Sequence, residues 1–194
     1  METNKKLTIV AATGNKGKLK EIKDIFPEFN IVSIKELGID IDIDEDAKTF
    51  ADNALKKAQI YAKATGLLCL ADDSGIAIQY YGGFPGVKTK RWMSGTDRER
   101  NQAIVQMMED IPKEKRSCDF VTAIAIANAD NAVSTVKTHT IHGYISTEIR
   151  GENGFGFDEI FELEDGRTIA ELSDEEKNSL SPRKHALEAV RKTI

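Results

Sequence analysis

The spacing of apolar residues changes period several times along the chain, and each change predicts an element. Leu7–Ala12 is a short apolar run that ends in Thr13-Gly14-Asn15, which predicts a buried strand followed by a turn. Leu19, Ile22, Ile25 and Phe26 then fall on one helical face, and Pro27 closes that helix. Ile39, Ile41 and Ile43 alternate with Asp40, Asp42 and Asp44, the pattern of a half-buried strand with an acidic face. A second helix is expected from about Thr49 to Thr65, with Phe50, Ala54, Ala58 and Tyr61 as its apolar stripe and Gly66 as its stop. Leu67–Leu70 predicts a buried strand, broken by a turn at Asp72-Asp73-Ser74-Gly75 and followed by Ile76–Tyr80.

Gly82–Gly86 is rich in Gly and Pro and is expected to be a loop. Thr96 and Glu99 have capping-box spacing ahead of a helix carried by Ala103, Ile104, Met107 and Met108. From Phe120 to Ile149 the pattern becomes β-branched alternation, with Asn128-Ala129-Asp130-Asn131 as a hairpin turn. Ser173 with Glu176, then Ser181-Pro182, open two last helices, the second running through Leu187 and Val190. Early alternation of strands and helices with a hairpin in the middle gives an α/β or α+β class with a long mixed sheet, because a hairpin excludes a purely parallel one.

Composition narrows the class. With 194 residues, 40% hydrophobic and 30% charged, the chain suits one globular domain spanning residues 1–194, or one domain with two lobes. A net charge of −5 argues against binding a nucleic-acid backbone, although a local basic pocket for a free nucleotide is compatible with it. Cys69 and Cys118 lie far apart in apolar runs and read as buried free thiols. The first apolar stretch is too short for a signal peptide or a spanning helix, so no membrane association and a reducing cytoplasm are expected.

Four segments could carry chemistry. Thr13-Gly14-Asn15-Lys16-Gly17-Lys18 joins a strand to a helix and offers backbone N–H groups, a helix N-terminus and ammonium charge to a phosphate chain. It lacks the P-loop spacing, and a solvated basic helix start capped by Thr13 is an equal reading. Asp72 and Asp73 follow an apolar strand, and on a strand they would point in opposite directions, one to bind metal or orient water and the other to brace the loop. An acidic turn is the plainer alternative. Asp40, Asp42, Asp44, Glu45 and Asp46 are five carboxylates within seven residues, either a solvated loop or hard oxygen ligands suited to Mg²⁺. Gly151–Asp158 has glycines flanking Phe155, where an aromatic ring could stack on a base or simply enter a core. Lys177 and Arg183 stand near the starts of the last helices. His139, His142 and His185 have no catalytic partners in the sequence and read as structural.

The order of these segments is more specific than any one of them. T-G-N-x-x-K, T-F-x-x-N-A-x-x-K-A, A-D-D-S-G, G-x-P-G-V, G-F-G-F-D-x-I-F, A-E-L-x-x-E-E-K and S-x-R-x-x-A-L occur in that sequence in one chain. Over essentially its whole length the chain resembles the inosine triphosphate pyrophosphatase family, the non-standard purine triphosphatases. The resemblance implies an elongated mixed, largely antiparallel sheet with flanking helices, two lobes around a central cleft, and a homodimer. It implies Mg²⁺-dependent cleavage of ITP, XTP and dITP to the monophosphate and pyrophosphate. By the same resemblance Thr13, Gly14, Asn15, Lys16, Gly17 and Lys18 hold phosphate with Lys57, and Asp73 is the catalytic carboxylate with Asp72 beside it. Asp73 and Glu45 would bind metal, with Asp44 and Asp46 close enough in sequence to compete for that role. Ser74 would contact substrate, and Phe155, Gly156, Phe157, Asp158, Lys177 and Arg183 would form the base pocket.

Two departures bear on specificity. Pro182 stands where the family has a histidine, so one base contact is either missing or supplied elsewhere, with His185 one turn along as a candidate. Lys88 and Lys90 add charge at positions where the family's V-Y-S-A-R-Y pattern has the uncharged tyrosine and alanine. Altered or broad base specificity, and a non-catalytic nucleotide-binding protein, are the alternatives to the family activity; the paired carboxylates favour an enzyme.

Overall fold

The computed structural model describes residues 6–89 and 91–194. Residues 1–5, and with Lys90 one half of the basic-loop reading, lie outside them. Its strands form a seven-stranded sheet in the order β2-β1-β3-β5-β6-β7, with β4 paired to β3. These are β1 (Thr8–Ala11), β2 (Asn30–Ser33), β3 (Leu68–Ile78), β4 (Phe84–Pro85), β5 (Ser117–Ala127), β6 (Ser134–Ile145) and β7 (Phe161–Glu162). The helices are α1 (Lys16–Ile25), α2 (Phe50–Thr65), α3 (Asp97–Met107), α4 (Asp174–Leu180) and α5 (Pro182–Arg191). β1 runs parallel to β2 and β3, whereas β3–β4 and β6–β7 are antiparallel. β5 and β6 are neighbours joined by residues 128–133 alone, too short a link for a parallel crossover, so they form the expected hairpin. The sheet is mixed, as the sequence pattern requires.

By their contacts the residues form two compact units. The first comprises the chain to Asp73, Thr122–His139 and Arg183–Ile194, and the second comprises Ser74–Val121 and Thr140–Pro182. In the first unit the sheet is covered on both faces. Ile9, Ala11, Leu70, Ile124 and Ile126 meet Ile22 and Phe26 of the α1 segment and Ala186, Leu187 and Val190 of α5. Val10, Cys69, Ala71, Ala123 and Ala125, the alternate positions, meet Ala54, Ala58, Tyr61 and Ala62 of α2. Small residues on that face let α2 lie close to the strands. Thr49 caps α2 by accepting from Asp52 N, and Gly66 ends it at φ 69°, a left-handed conformation that costs a residue with a Cβ.

Three expectations need correction. Residues 39–47 form no strand; β1 is already paired on both sides, by β2 and β3, and offers them no free edge. Ile39, Ile41 and Ile43 still pack against the α2 side of the core, and the intervening aspartates are exposed, so the alternation records burial alone. Asp72-Asp73-Ser74-Gly75 makes no turn, because β3 runs unbroken through it. Part of the Gly82–Gly86 loop is β4, where Phe84 and Pro85 pair with Ile78 and Ala77.

The second unit has its own core of Ile76, Ile78, Ile104, Met108, Cys118, Ile145, Phe157, Ile160 and Phe161. Thr96 closes a capping box with Glu99 at α3, and Ser173 does the same with Glu176 at α4. Arg116 is 1% exposed and donates to the carbonyls of Met108, Ile111 (3.3 Å), Ile145 (2.7 Å) and Ser146 (2.5 Å). One side chain thereby ties the end of α3 to the end of β6. Arg116→Met keeps most of the volume but strands those carbonyls in a dry interior. It should lower the unfolding free energy by about 3 kcal/mol or more in a urea titration.

Candidate functional site

β3 positions the acidic pair. Leu70 faces the α1–α5 side of the sheet and Cys69 and Ala71 face α2, so alternation sends Asp72 toward α1 and α5 and Asp73 toward α2. Asp72 is 4% exposed and forms a buried ion pair with Lys18 of α1, with Arg183 Nε of α5 3.6 Å away. Burial pushes its pKa up, but Lys18, Arg183 and Lys57 outweigh that and hold it well below the ordinary carboxylate range. Arg183 in turn donates to Glu21 at 3.0 Å, which gives a chain of alternating charge, Lys18–Asp72–Arg183–Glu21.

On the other face Asp73 accepts a hydrogen bond from Asn53 Nδ2 at 3.0 Å and lies 3.6 Å from Lys57 Nζ. Lys57 also donates to Glu45 at 2.7 Å, so its ammonium stands between two carboxylates. Burial, aided by the charges of Glu45 and Asp72, raises the Asp73 pKa in spite of Lys57 and Asn53. Burial would lower Lys57, but Asp73, Asp72 and Glu45 together raise it. Of the five clustered acids only Glu45 shares the inward parity of Ile39, Ile41 and Ile43; Asp40, Asp42, Asp44 and Asp46 are exposed. That parity makes Glu45, over Asp44 and Asp46, the acid that meets Lys57.

In the Thr13–Lys18 loop the cap is Asn15, which corrects the assignment to Thr13. Asn15 Oδ1 accepts from Gly17 N and Lys18 N, and Thr13 Oγ1 accepts from Asn15 N. Two N–H groups of the helix start are thus already engaged. Lys16 is exposed, but Lys18 is 8% exposed, which overturns the reading of a wholly solvated basic start.

In the second unit Phe155, Asp158 and Lys177 cluster. Asp158 Oδ2 accepts from Phe155 N at 3.0 Å and from Lys177 Nζ at 2.6 Å, and that ammonium lies 5.2 Å from the Phe155 ring centroid. Gly154 sits at φ 110°, where a Cβ would come within 2.1 Å of Asp158 Oδ2, so glycine is required. Asn101 Nδ2 holds the Gly156 carbonyl at 2.8 Å. Phe155 is half-exposed, whereas Phe157 is buried in the core and offers no ring face to a ligand. Ser74 follows Asp73 in β3 and is half-buried. Arg183 takes its place on Asp72 and Glu21 in the first unit, and Pro182 is the first residue of α5. His139 and His185 lie with ring centroids 4.7 Å apart and planes tilted by 38°, and His142 pairs with Asp119 at 2.6 Å.

Sequence reasoning missed Asn53, Lys56 and Glu21. Asn53 and Lys57 are one helical turn apart, and Glu21 follows Lys18 by three, so the spacing rule for helix neighbours carried a signal. Lys56 donates to the Asp44 carbonyl and to Asp46, both at 2.7 Å.

The Ham1 family model matches residues 9–193. The dITP/XTP pyrophosphatase of Caldanaerobacter subterraneus subsp. tengcongensis is 39% identical, covering 97% of this chain and 96% of that protein. The dITP/XTP pyrophosphatase of Bacillus subtilis is 38% identical, covering 95% and 96%. The structure of a HAM1 protein from Coxiella burnetii superimposes with a TM-score of 0.87 at 37% identity, covering 96% of this chain and 98% of that one. The Staphylococcus aureus Ham1 protein gives 0.85 at 32% identity, covering 96% and 97%. Matched in sequence and in backbone along almost all of its length, the chain belongs to the Ham1 family.

Proposed function

We propose that this protein hydrolyses non-standard purine nucleoside triphosphates (ITP, dITP and XTP) to the monophosphate and pyrophosphate, as a Mg²⁺-dependent enzyme with Asp73 as its catalytic carboxylate. The observation that carries the reading is the Asp73–Lys57–Glu45 cluster, set back to back with the Asp72–Lys18 pair on one strand. The names of the relatives, dITP/XTP pyrophosphatases, support the substrate class.

The donor set suits Mg²⁺, a hard cation that prefers carboxylate oxygen, with Asp73 and Glu45 as its holders. Among the described residues no group of three or more potential ligands is gathered, so water and phosphate oxygens would complete its coordination. Bound there, the ion would neutralise polyphosphate charge. The residues divide the remaining work. Asp73, held by Asn53 and facing Lys57, would take the proton of the attacking water. Lys57 balances charge between the two carboxylates, and Lys18, Lys16, Thr13 and Asn15 receive the phosphates at the start of α1. Asp72 remains ionised and serves as counter-ion to Lys18 and Arg183, a poorer base than its neighbour. Phe155 stacks on the base, and Asp158 and Lys177 offer it polar contacts. The reading extends to a homodimer in the cytoplasm. No helix among the described residues is long and apolar enough to cross a membrane.

Asp73→Asn should lower turnover about a hundredfold or more, measured as pyrophosphate release from dITP, while nucleotide binding by calorimetry changes little. Near-normal turnover would remove Asp73 from the chemistry.

Lys18→Met should raise KM for dITP and weaken pyrophosphate inhibition together. It should also alter the acid limb of stability. The folded-state pKa of Asp72 is depressed, so its contribution is complete above the unfolded pKa of about 4 and is lost as pH falls toward the folded value. The variant loses the nearest cation, so the stability gap between the two proteins should be widest near neutrality and narrow below roughly pH 4. A gap that stays constant from pH 7 to pH 3 would show that the pair contributes no such linkage.

Pro182 favours a second reading, in which base selectivity is weaker. Proline at the first helical position leaves α5 intact but supplies no donor. Pro182→His should raise the ratio of kcat/KM for ITP over ATP by a factor of roughly 2–13, the worth of one net hydrogen bond. An unmoved ratio would assign base reading elsewhere.

A further inference from the structure

Asn53 is 1% exposed and lies on the face of α2 that meets the sheet. Its amide makes two bonds in opposite directions: Nδ2 donates to Asp73 Oδ2 and Oδ1 accepts from Ala47 N, both at 3.0 Å. The amide cannot be turned round. Ala47 N is only a donor and an ionised Asp73 only an acceptor, so the opposite assignment would oppose like groups at both ends. Ala47 lies two residues beyond Glu45, in a segment without strand partners. That segment is fastened to α2 by Tyr61 at the Ile41 carbonyl, by Lys56 at Asp44 and Asp46, by Lys57 at Glu45, and by Asn53 at Ala47. Tyr61 does not contact Asp73, and Lys56 and Lys57 are long cationic chains that an incoming anion can draw away. Among the described residues the short, buried Asn53 alone contacts both the segment and Asp73 without carrying charge.

We infer that Asn53 is a positioning residue, which fixes the orientation of the Asp73 carboxylate and the placement of the Glu45 segment relative to it. This rests on the reading of Asp73 as the catalytic carboxylate. A carboxylate has two oxygens, and a donor on Oδ2 leaves Oδ1, the atom facing Lys57, as the one presented for chemistry. Asn53 touches no reacting atom, so its removal should act on turnover through Asp73 and leave recognition of the phosphates by α1 in place.

The test uses Asn53→Asp, the isosteric change that retains an acceptor for Ala47 N but replaces the donor to Asp73 by a second carboxylate. Turnover of dITP should fall about tenfold or more while KM stays within about threefold, because misorientation of a reacting group acts on the chemical step. The exchanged pair, N53D with D73N, restores a donor–acceptor match with its polarity reversed. Its melting temperature should exceed that expected from adding the two single shifts, while turnover stays as low as in D73N. Turnover within twofold of the parent in N53D overturns the inference, and so does strict additivity of the melting shifts. If D73N itself keeps its turnover, the reading of Asp73 fails instead, and the melting-temperature coupling still decides whether Asn53 holds that carboxylate.

Discussion

Adjacent residues on a β-strand face opposite ways, and this one constraint organises the acidic centre. A turn at Asp72-Asp73 would have let both carboxylates meet the same surroundings. An unbroken β3 instead delivers one to α1 and α5 and the other to α2. Like charges so close in sequence are kept apart by the sheet itself: Asp72 pairs with Lys18 and Arg183, Asp73 faces Lys57, and the Lys57 charge is felt by both. The outcome is two carboxylates whose proton affinities diverge, Asp72 falling and Asp73 rising. Divergence of that kind is what separates a counter-ion from a group able to take up a proton.

The helices are spaced to serve this division. Parallel pairing of β1 with β2 and β3 needs helical crossovers, which α1 and α2 supply. Lys18 is in the first turn of α1 and Arg183 in the first turn of α5, so the two cations reach Asp72 from separate elements. A buried charge without a partner would be strongly destabilising, and a paired one fixes the elements that carry the pair. Asp72 therefore ties three elements of the first unit together while keeping Lys18 inside. In the second unit Arg116 plays a comparable part with neutral carbonyls as its partners.

Much of this was legible in the sequence, for definite reasons. Helix limits were written in capping residues: Thr49 and Gly66 around α2, Thr96 and Glu99 at α3, Ser173 and Glu176 at α4. Each acts within a few residues and needs no tertiary partner. The Ile39–Asp44 alternation misled because period two reports which side chains are covered, not whether the backbone has a ladder to join. The Asp-Asp-Ser-Gly stretch misled because turn-forming residues were read locally, while the ion partners of Asp72 lie 54 and 111 positions away, at Lys18 and Arg183. The choice among Asp44, Glu45 and Asp46 was open by sequence and closed by parity. Phe155 and Phe157 looked alike in their motif, and only burial distinguishes the half-exposed ring from the core one.

The pairing of Lys18 with Asp72 has a bearing on affinity. A lysine on the surface would first have to be immobilised by each ligand that used it, with loss of side-chain freedom. Here the chain is already ordered, and what an anion must overcome is the hold of a buried carboxylate. Competition of this sort sets a threshold on ligand charge. On the proposed reading, in which Lys18 receives the phosphates, an anion carrying a single phosphate would oppose Asp72 weakly, whereas a chain of several phosphates would present charge enough to share the ammonium. The same carboxylate would then reclaim Lys18 as the phosphates depart.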